Sequence, residues 1–363
     1  MRRPRKILYP YIIAHKYTRR HLTLNTFTLL LLSVFLMQGA ALAGQPASYV
    51  DTANRADPAY VKDFKLRRDV FEAAEALKAQ GLNVLVAWDI DLTLGTPLSP
   101  RYRLSLGSDP WWNEQVKALE DAFTARYGPR KAPEGKPSWT PEVQAAYSAR
   151  FGQLISLNSA LHARISLRPV ETFVPEAVKK AQAAGVNMMA VTARGPEMEQ
   201  ATMQDLNSDI GVNFSSSAPG GGGFAMDGFR INEKARPSLY RNGVLQTSGQ
   251  NKGEQLLYVL AAAGYKPDIV FFIDDTEKNA RDVFAALQKA GIPARVVRYG
   301  HEDGRARAYA APGSAQPCQA QAELESFREK GYFPADSGVK NARCDAAVSF
   351  ALIYGSTAPA VVK

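Results

Sequence analysis

Five apolar residues, Val84-Leu85-Val86-Ala87-Trp88, run directly into Asp89-Ile90-Asp91-Leu92-Thr93. No other stretch narrows the fold as far. A short continuous apolar run reads as a strand buried on both faces, as in the centre of a parallel sheet. In open α/β sheets the carboxyl ends of the strands are where ligands bind. Two carboxylates and a hydroxyl at spacing two therefore stand at a strand exit. Clustered like charges repel, so such an exit suits a cation and a transferable phosphoryl group better than it suits stability.

The same texture returns downstream. Val186–Val191 reads as a strand ending in Thr192-Ala193-Arg194-Gly195, and Ile269–Ile273 as a strand ending in Asp274-Asp275-Thr276. Helical periodicity lies between them: Asp69–Gln80 closed by Gly81, Pro175–Ala184 closed by Gly185, and Pro196–Leu206. Asn251-Lys252-Gly253 opens a helix to Ala263, and Ala280, Val283, Phe284 and Leu287 share one helical face before a strand at Ala294–Val297. Arg241-Asn242-Gly243-Val244 is a hairpin signal. The glycines at 220–223 match no phosphate-loop or dinucleotide spacing and read as loop.

Residues 95–169 interrupt this alternation. Helices are expected from Trp111 to Tyr127 and from the Thr140-Pro141 cap to about His162, with a Pro/Gly/Lys-rich break between them and no strand. The expected architecture is α/β: a Rossmann-like parallel sheet at 44–94 and 170–300, a helical cap insertion at 95–169, and a C-terminal extension at 301–363 with one helix near 320–330.

Residues 1–43 read as a targeting segment. Seven Lys and Arg precede an apolar stretch at Phe27–Leu36, and Ala41-Leu42-Ala43 is a small-x-small cleavage pattern. The apolar stretch is short for a membrane span of ~20 residues, so a signal peptide is favoured over a retained anchor. The expected location is the bacterial periplasm or the medium, with no stable membrane anchor after cleavage. Thr18-Arg19-Arg20 also carries an arginine pair of twin-arginine type. The leader holds seven of the chain's 44 Lys and Arg and none of its 35 Asp and Glu. The formal charge of +9 therefore drops to +2 for the remainder. That argues against a nucleic-acid partner, which needs basic residues concentrated on a folded face. The chain's two cysteines, Cys318 and Cys344, are expected to form a disulfide in an exported protein. A two-thiol zinc site would need closer spacing and nearby histidines.

Taken singly, the polar strand ends stay ambiguous. Asp91 and Thr93 suit a turn, Thr192 a helix N-cap, Lys252 a solvated surface, and Asp274-Asp275 the start of the next helix. Their order is more telling. Asp89-Ile90-Asp91-Leu92-Thr93, then Thr192, then Lys252 before a helix, then Asp274-Asp275 after an apolar strand, resembles the haloacid dehalogenase-like (HAD) superfamily over 44–94 and 170–300. Asn251-Lys252-Gly253 and Thr192-Ala193-Arg194 look like an exported bacterial branch of it, with class B and class C acid phosphatases nearby.

The resemblance implies a phosphatase. Asp89 would be the nucleophile that forms an aspartyl-phosphate. Asp91 would protonate the leaving alcohol and then deprotonate water, with its pKa raised by Asp89 and the phosphate. Thr192 and Lys252 would bind the phosphate oxygens, and Thr93 would fix the loop. Mg²⁺ would be held by Asp89, Asp274, the backbone carbonyl of Asp91, and Asp275 through a water. Arg194 either reaches the substrate or pairs with an acid. Trp111-Trp112 is either a substrate platform or helix packing. His162 and His301, the histidines after the leader, form no paired ligand motif. The cap position implies a small phosphorylated substrate. Phosphotransfer to an alcohol would use the same residues, and a non-catalytic binding protein of the same fold is the alternative from another class.

Overall fold

The computed structural model describes residues 46–97, 110–131, 137–163, 165–221, 223–232 and 235–311. The leader, the expected Cys318–Cys344 disulfide and the helix expected near 320–330 lie outside the described residues.

The chain enters through β1, Ser48–Asp51. The Asp69–Gln80 periodicity forms a π-helical turn, Arg67–Glu72, that runs into α1, Ala73–Ala79. Gly81 stops it at φ 89°, a left-handed value that glycine adopts without a Cβ clash. β2, Val84–Trp88, is buried along its whole length. Its side chains alternate between two cores, as a pleated strand requires. Val84, Val86 and Trp88 join the cluster containing Val70, Phe71 and Leu77, and Leu85 and Ala87 face the other side. Phe71 stacks on Trp88 with ring centroids 5.1 Å apart. Burying a side chain of this size contributes about 1.5–3 kcal/mol, so the apolar run itself secures β2 at the centre of the molecule.

The insertion follows directly. It opens with β3, Gly95–Pro97, and closes with β4, Leu167–Pro169, which pair antiparallel. The expectation of no strand in this region is corrected here. Strands of three residues, both ending in proline, are too short to show a period-two pattern. Between them run α2, Pro110–Tyr127, and α3, Pro141–His162, close to the expected bounds. Leu119, Phe123, Trp139 and Tyr147 give this hairpin a small core of its own.

The α/β alternation resumes with α4, Val174–Ala183, and β5, Asn187–Thr192. A 3₁₀ turn at Pro196–Met198 leads into α5, Glu199–Gln204, and a π-helical turn, Asp205–Ile210. β6, Met226–Phe229, β7, Ser238–Arg241, and β8, Val244–Gln246, form an antiparallel meander. Asn242 at φ 53° and Gly243 at φ 76° make the expected hairpin turn. Then come α6, Lys252–Ala262, β9, Ile269–Asp274, α7, Glu277–Lys289, β10, Ala294–Arg298, and α8, Asp303–Ala310.

The main sheet among the described residues has eight strands, ordered β1-β10-β9-β2-β5-β8-β7-β6. The six from β1 to β8 are parallel, and β7 and β6 extend one edge antiparallel. The Rossmann-like core is therefore mixed at one edge. β2 lies between β5 and β9, so the polar exits of the three strands are neighbours.

Candidate active site

The exit of β2 is a tight turn. The N–H groups of Thr93, Leu94 and Gly95 all point to the Ile90 carbonyl, at 3.3, 3.0 and 2.9 Å, and Leu92 N–H donates to the Gly95 carbonyl at 2.8 Å. Leu92 takes φ 61°, a left-handed conformation that costs a non-glycine residue roughly 1–2 kcal/mol. A Cβ on Gly95 would stand 2.5 Å from Ile210 Cδ1, so glycine lets this turn close against the core. The result is that Asp89 and Asp91 leave the same turn toward different neighbours.

Asp89 faces β9 and α6. Lys252 Nζ donates to Asp89 Oδ1 at 2.5 Å and to Asp274 Oδ2 at 2.7 Å. The lysine side chain is 1 % exposed, which overturns the solvated-surface alternative. It reaches the site because α6 begins there: Asn251 caps the helix by accepting from Glu254 N–H at 3.0 Å. Gly253 lets α6 press on α7, where a Cβ would come within 2.6 Å of Ala286 Cβ and the Asp282 carbonyl. Asp274 Oδ1 accepts from Thr276 N–H at 2.8 Å, so it turns the chain into α7 as well as holding the lysine. Thr93 is buried between the two strand exits. Its hydroxyl accepts from Asp275 N–H at 3.0 Å and stands 3.5 Å from Asp89 Oδ2, tying the β2 and β9 exits together.

Carboxylate oxygens of Asp89, Asp274 and Asp275 all lie within 4.8 Å of one another. Burial pushes the Asp89 carboxyl up to about 7, against the pull of Lys252 and with the repulsion of Asp274 and Asp91. Burial, followed by repulsion from Asp89 and Asp274, raises Asp275 well above the usual carboxylate range. Lys252 is shifted upward because its two acid partners outweigh its burial. One lysine thus serves three acids.

Asp91 faces β5. Arg194 grips it with both arms of the guanidinium, Nη2 to Oδ1 at 2.6 Å and Nε to Oδ2 at 2.9 Å. The remaining nitrogen, Nη1, donates to Asp205 Oδ2 at 2.6 Å and to Thr202 Oγ1 at 3.2 Å. Of the two uses open to Arg194, the structure shows the acid pair. Any rise that Asp89 was expected to cause in the Asp91 pKa is outweighed here. Burial raises it, but the charge and hydrogen bonds of Arg194 outweigh burial and hold the carboxyl below its ordinary value. Asp205, with a single arm of the same arginine, is pushed up by burial to about 6. The carboxylate of Asp91 is engaged here and stands outside the three-acid group.

Thr192 is buried at the end of β5, and its hydroxyl accepts from Arg194 N–H at 3.2 Å. Its carbonyl accepts from both the N–H and the hydroxyl of Thr247 at 2.9 Å. The next helical turn starts at Pro196 with Gly195 as its cap residue, so Thr192 is not an N-cap.

A pocket of about 440 Å³ opens over these groups. Asp89, Asp91, Arg194, Lys252 and Asp275 line its floor, and Phe151, Ile155, Asn158 and His162 of α3 line its roof. Helix α3 of the insertion therefore shares one pocket with the strand exits. Asn158 Oδ1 is buried in the roof with no hydrogen-bond partner among the described residues, and the charge of Asp91 is lowered in cost by His162. Sequence reasoning missed Asn158, Arg236 and Asp205. The α3 residues Phe151, Ile155, Asn158 and His162 fall at helical spacing, which could have flagged a pocket-facing stripe; Arg236 and Asp205 carried no such signal. The side chains of Trp111 and Trp112 lie outside the described residues.

The family described as "Protein of unknown function (DUF2608)" has a model that matches residues 68–324. The chain belongs to this family. No curated protein matches. The chain is also similar to a crystal structure described as a "putative beta-phosphoglucomutase from Thermotoga maritima", at 13% identity and a TM-score of 0.28. That match covers 61% of this chain and 97% of the other. The family's match spans the β2 exit, Thr192, Lys252 and Asp274-Asp275, and thus the whole of the constellation described above.

Proposed function

We propose that this member of the family is an exported, Mg²⁺-dependent phosphomonoester hydrolase of haloacid dehalogenase type, working through an aspartyl-phosphate on Asp89. The observation that carries the reading is the sealed lysine bridge: Lys252 joins Asp89 to Asp274 beneath a pocket, with Asp275 beside them. A fold optimised for stability alone would not gather three carboxylates around one ammonium, because breaking or unbalancing buried charge costs several kcal/mol.

The donor set fits Mg²⁺, which favours oxygen ligands and is commonly held by one or two carboxylates together with a phosphate. Asp89 and Asp274, with Asp275 alongside, would hold it, and the ion would offset the negative charge that makes phosphate esters resist attack. The chain's own groups divide the remaining work. Asp89 Oδ1 is tied to Lys252, whereas among the described residues Oδ2 has only the distant Thr93 hydroxyl, so Oδ2 is the oxygen left to attack phosphorus. Lys252 neutralises charge on the nucleophile and on the bound phosphate. The Thr192 hydroxyl, already accepting from Arg194 N–H, keeps its own proton to donate to a phosphate oxygen. Asp91 protonates the departing alcohol, then takes a proton from the water that cleaves the acyl phosphate. Arg194 fixes Asp91 in place, and the bound phosphate dianion supplies the like charge that lifts its proton affinity when needed.

The first test is turnover of a generic aryl phosphate by the purified mature protein. Activity should vanish on chelation with EDTA and return with Mg²⁺. Full turnover in the chelated protein would remove the metal from the account.

A further inference from the structure

A second cavity of about 400 Å³ adjoins the catalytic pocket and shares Phe151, Ile155 and Arg236 with it. The two meet along these residues, and Asp89, Asp91 and Asp275 line the first of them. The outer chamber differs in chemistry from the inner one. Its described lining contains two guanidiniums, Arg130 and Arg236, and no carboxylate. Arg130 lies over the rings of Tyr147 and Trp139, at 5.2 and 5.8 Å from their centroids, and donates to Gln144 Oε1 at 3.3 Å. It forms no ion pair among the described residues. The rings and the glutamine hold the guanidinium in place without cancelling its charge.

Arg236 pairs with Glu197 at 2.8 Å, with both side chains about a third exposed. Exposed pairs of this kind contribute only about 0–1 kcal/mol, so an incoming anion can replace Glu197 at little cost. Glu197 lines the inner cavity, and Arg236 therefore stands at the junction of the two. The wall beside it is apolar and aromatic, with Tyr147 and Phe151 stacked at 6.2 Å. A guanidinium matches the planar fork of a carboxylate or a phosphate. A simple phosphate ester bound at Asp89 would leave the whole outer chamber unused.

Resting on the hydrolase reading, we propose that the cleft takes an elongated phosphomonoester whose leaving group ends in a second anion, a phosphate or carboxylate bound between Arg130 and Arg236. The reacting phosphoryl group lies over Asp89, the linker runs along Phe151 and Ile155, and the far anion displaces Glu197. Selection then follows from length and from the second charge.

The experiment is equilibrium binding to the Asp89→Asn protein in Mg²⁺ by calorimetry. The probes are a homologous series of alkanediol bisphosphates, the matching ω-carboxyalkyl phosphates, and alkyl monophosphates of the same lengths. One length of doubly headed ligand should bind at least about tenfold more tightly than the alkyl monophosphate of that length, a factor of ten being 1.4 kcal/mol. Arg130→Gln and Arg236→Gln should each collapse that ratio. The bisphosphate and carboxyalkyl arms identify which anion is preferred. Arg130→Lys, which keeps the charge and loses the fork, replaces Arg130→Gln if the latter does not fold. Equal binding of double and single anions, or a preference that survives in both arginine variants, overturns the proposal. Wild-type turnover of aryl phosphates separates the outcomes: turnover without a double-anion preference leaves the hydrolase reading standing and removes this one. A preference without turnover removes the hydrolase reading and leaves a binding site for such molecules.

Discussion

The two sides of the β2 exit answer the same problem, buried charge, in opposite ways. On the β9 side, Asp89, Asp274 and Asp275 share Lys252, leaving two more acids than bases. On the β5 side, Arg194 is divided between Asp91 and Asp205, leaving one more. Burial pushes both of the motif's carboxyls up, and their cations offset it unequally. Asp89 is pushed up to about 7, and Asp91 is held below its ordinary value. Two residues apart in sequence, they are set apart by which cation each one reaches. The surplus on the β9 side is what the proposed cation and nucleophile would use. The tight bidentate pair on the β5 side is where a proton-transfer group can be held still.

The largest expected effect breaks the β9 side. Asp89→Asn should lower aryl phosphate turnover by at least about 10³-fold, as loss of a covalent nucleophile does, with a circular dichroism spectrum like that of wild type. Lys252→Met should cost stability as well as activity, because it leaves the buried Asp89 and Asp274, beside the half-buried Asp275, without the lysine that bridges them. Removing one partner of a buried pair costs about 3–5 kcal/mol, and denaturant unfolding reads it. Mg²⁺ should restore part of that loss if the acids bind it; a stability unmoved by the substitution would mean that the bridge contributes nothing.

A milder test sharpens the asymmetry. Arg194→Gln frees Asp91 from its guanidinium, so the carboxyl should regain an ordinary or raised value. The proton donor is then retained to higher pH, and the alkaline limb of the kcat/KM profile should move upward. An unmoved limb would mean that Asp91 does not set it.

The pH dependence of stability gives the smaller effects. Asp89 has a folded-state pKa near 7 against an ordinary 3.8. Between those values the folded protein binds more protons than the unfolded chain, so this group's contribution is lost as pH rises from about 4 to about 7. Melting of the metal-free protein should therefore decline more steeply over that range in wild type than in Asp89→Asn. Gly253→Ala should cost about 1–3 kcal/mol through overpacking against α7, again read by denaturant unfolding, since it drives α6 and its lysine away from the strand exits.

Much of this arrangement is legible in the amino-acid sequence. β2, β5 and β9 announce themselves because strands buried on both faces are continuous apolar runs, and their polar ends follow. The Asn242-Gly243 turn and the Gly81 and Gly185 stops were readable for the same local reason: φ above zero selects those residues. β1, β3, β4 and α8 were not readable. They are short, and pairing with distant segments holds them, as Ser48 pairs with Arg295 and Gly95 with Pro169. In the site, the identities of Asp89, Asp91, Thr192, Lys252, Asp274 and Asp275 could be read, but the charge state of Asp91 could not. It depends on Arg194, 103 positions away, and on whether that arginine turns inward or outward. The α3 stripe could be read only in part, since helical spacing shows which residues share a face and not what the face covers.

The central claim is that Asp89 carries the phosphoryl group. Rapid acid quench of the Mg²⁺-loaded protein with a phosphorus-labelled aryl phosphate tests it directly. The account predicts label on the peptide containing Asp89, discharged by hydroxylamine as an acyl phosphate is, and absent from Asp89→Asn. Turnover with no labelled peptide, persisting in Asp89→Asn, would contradict it.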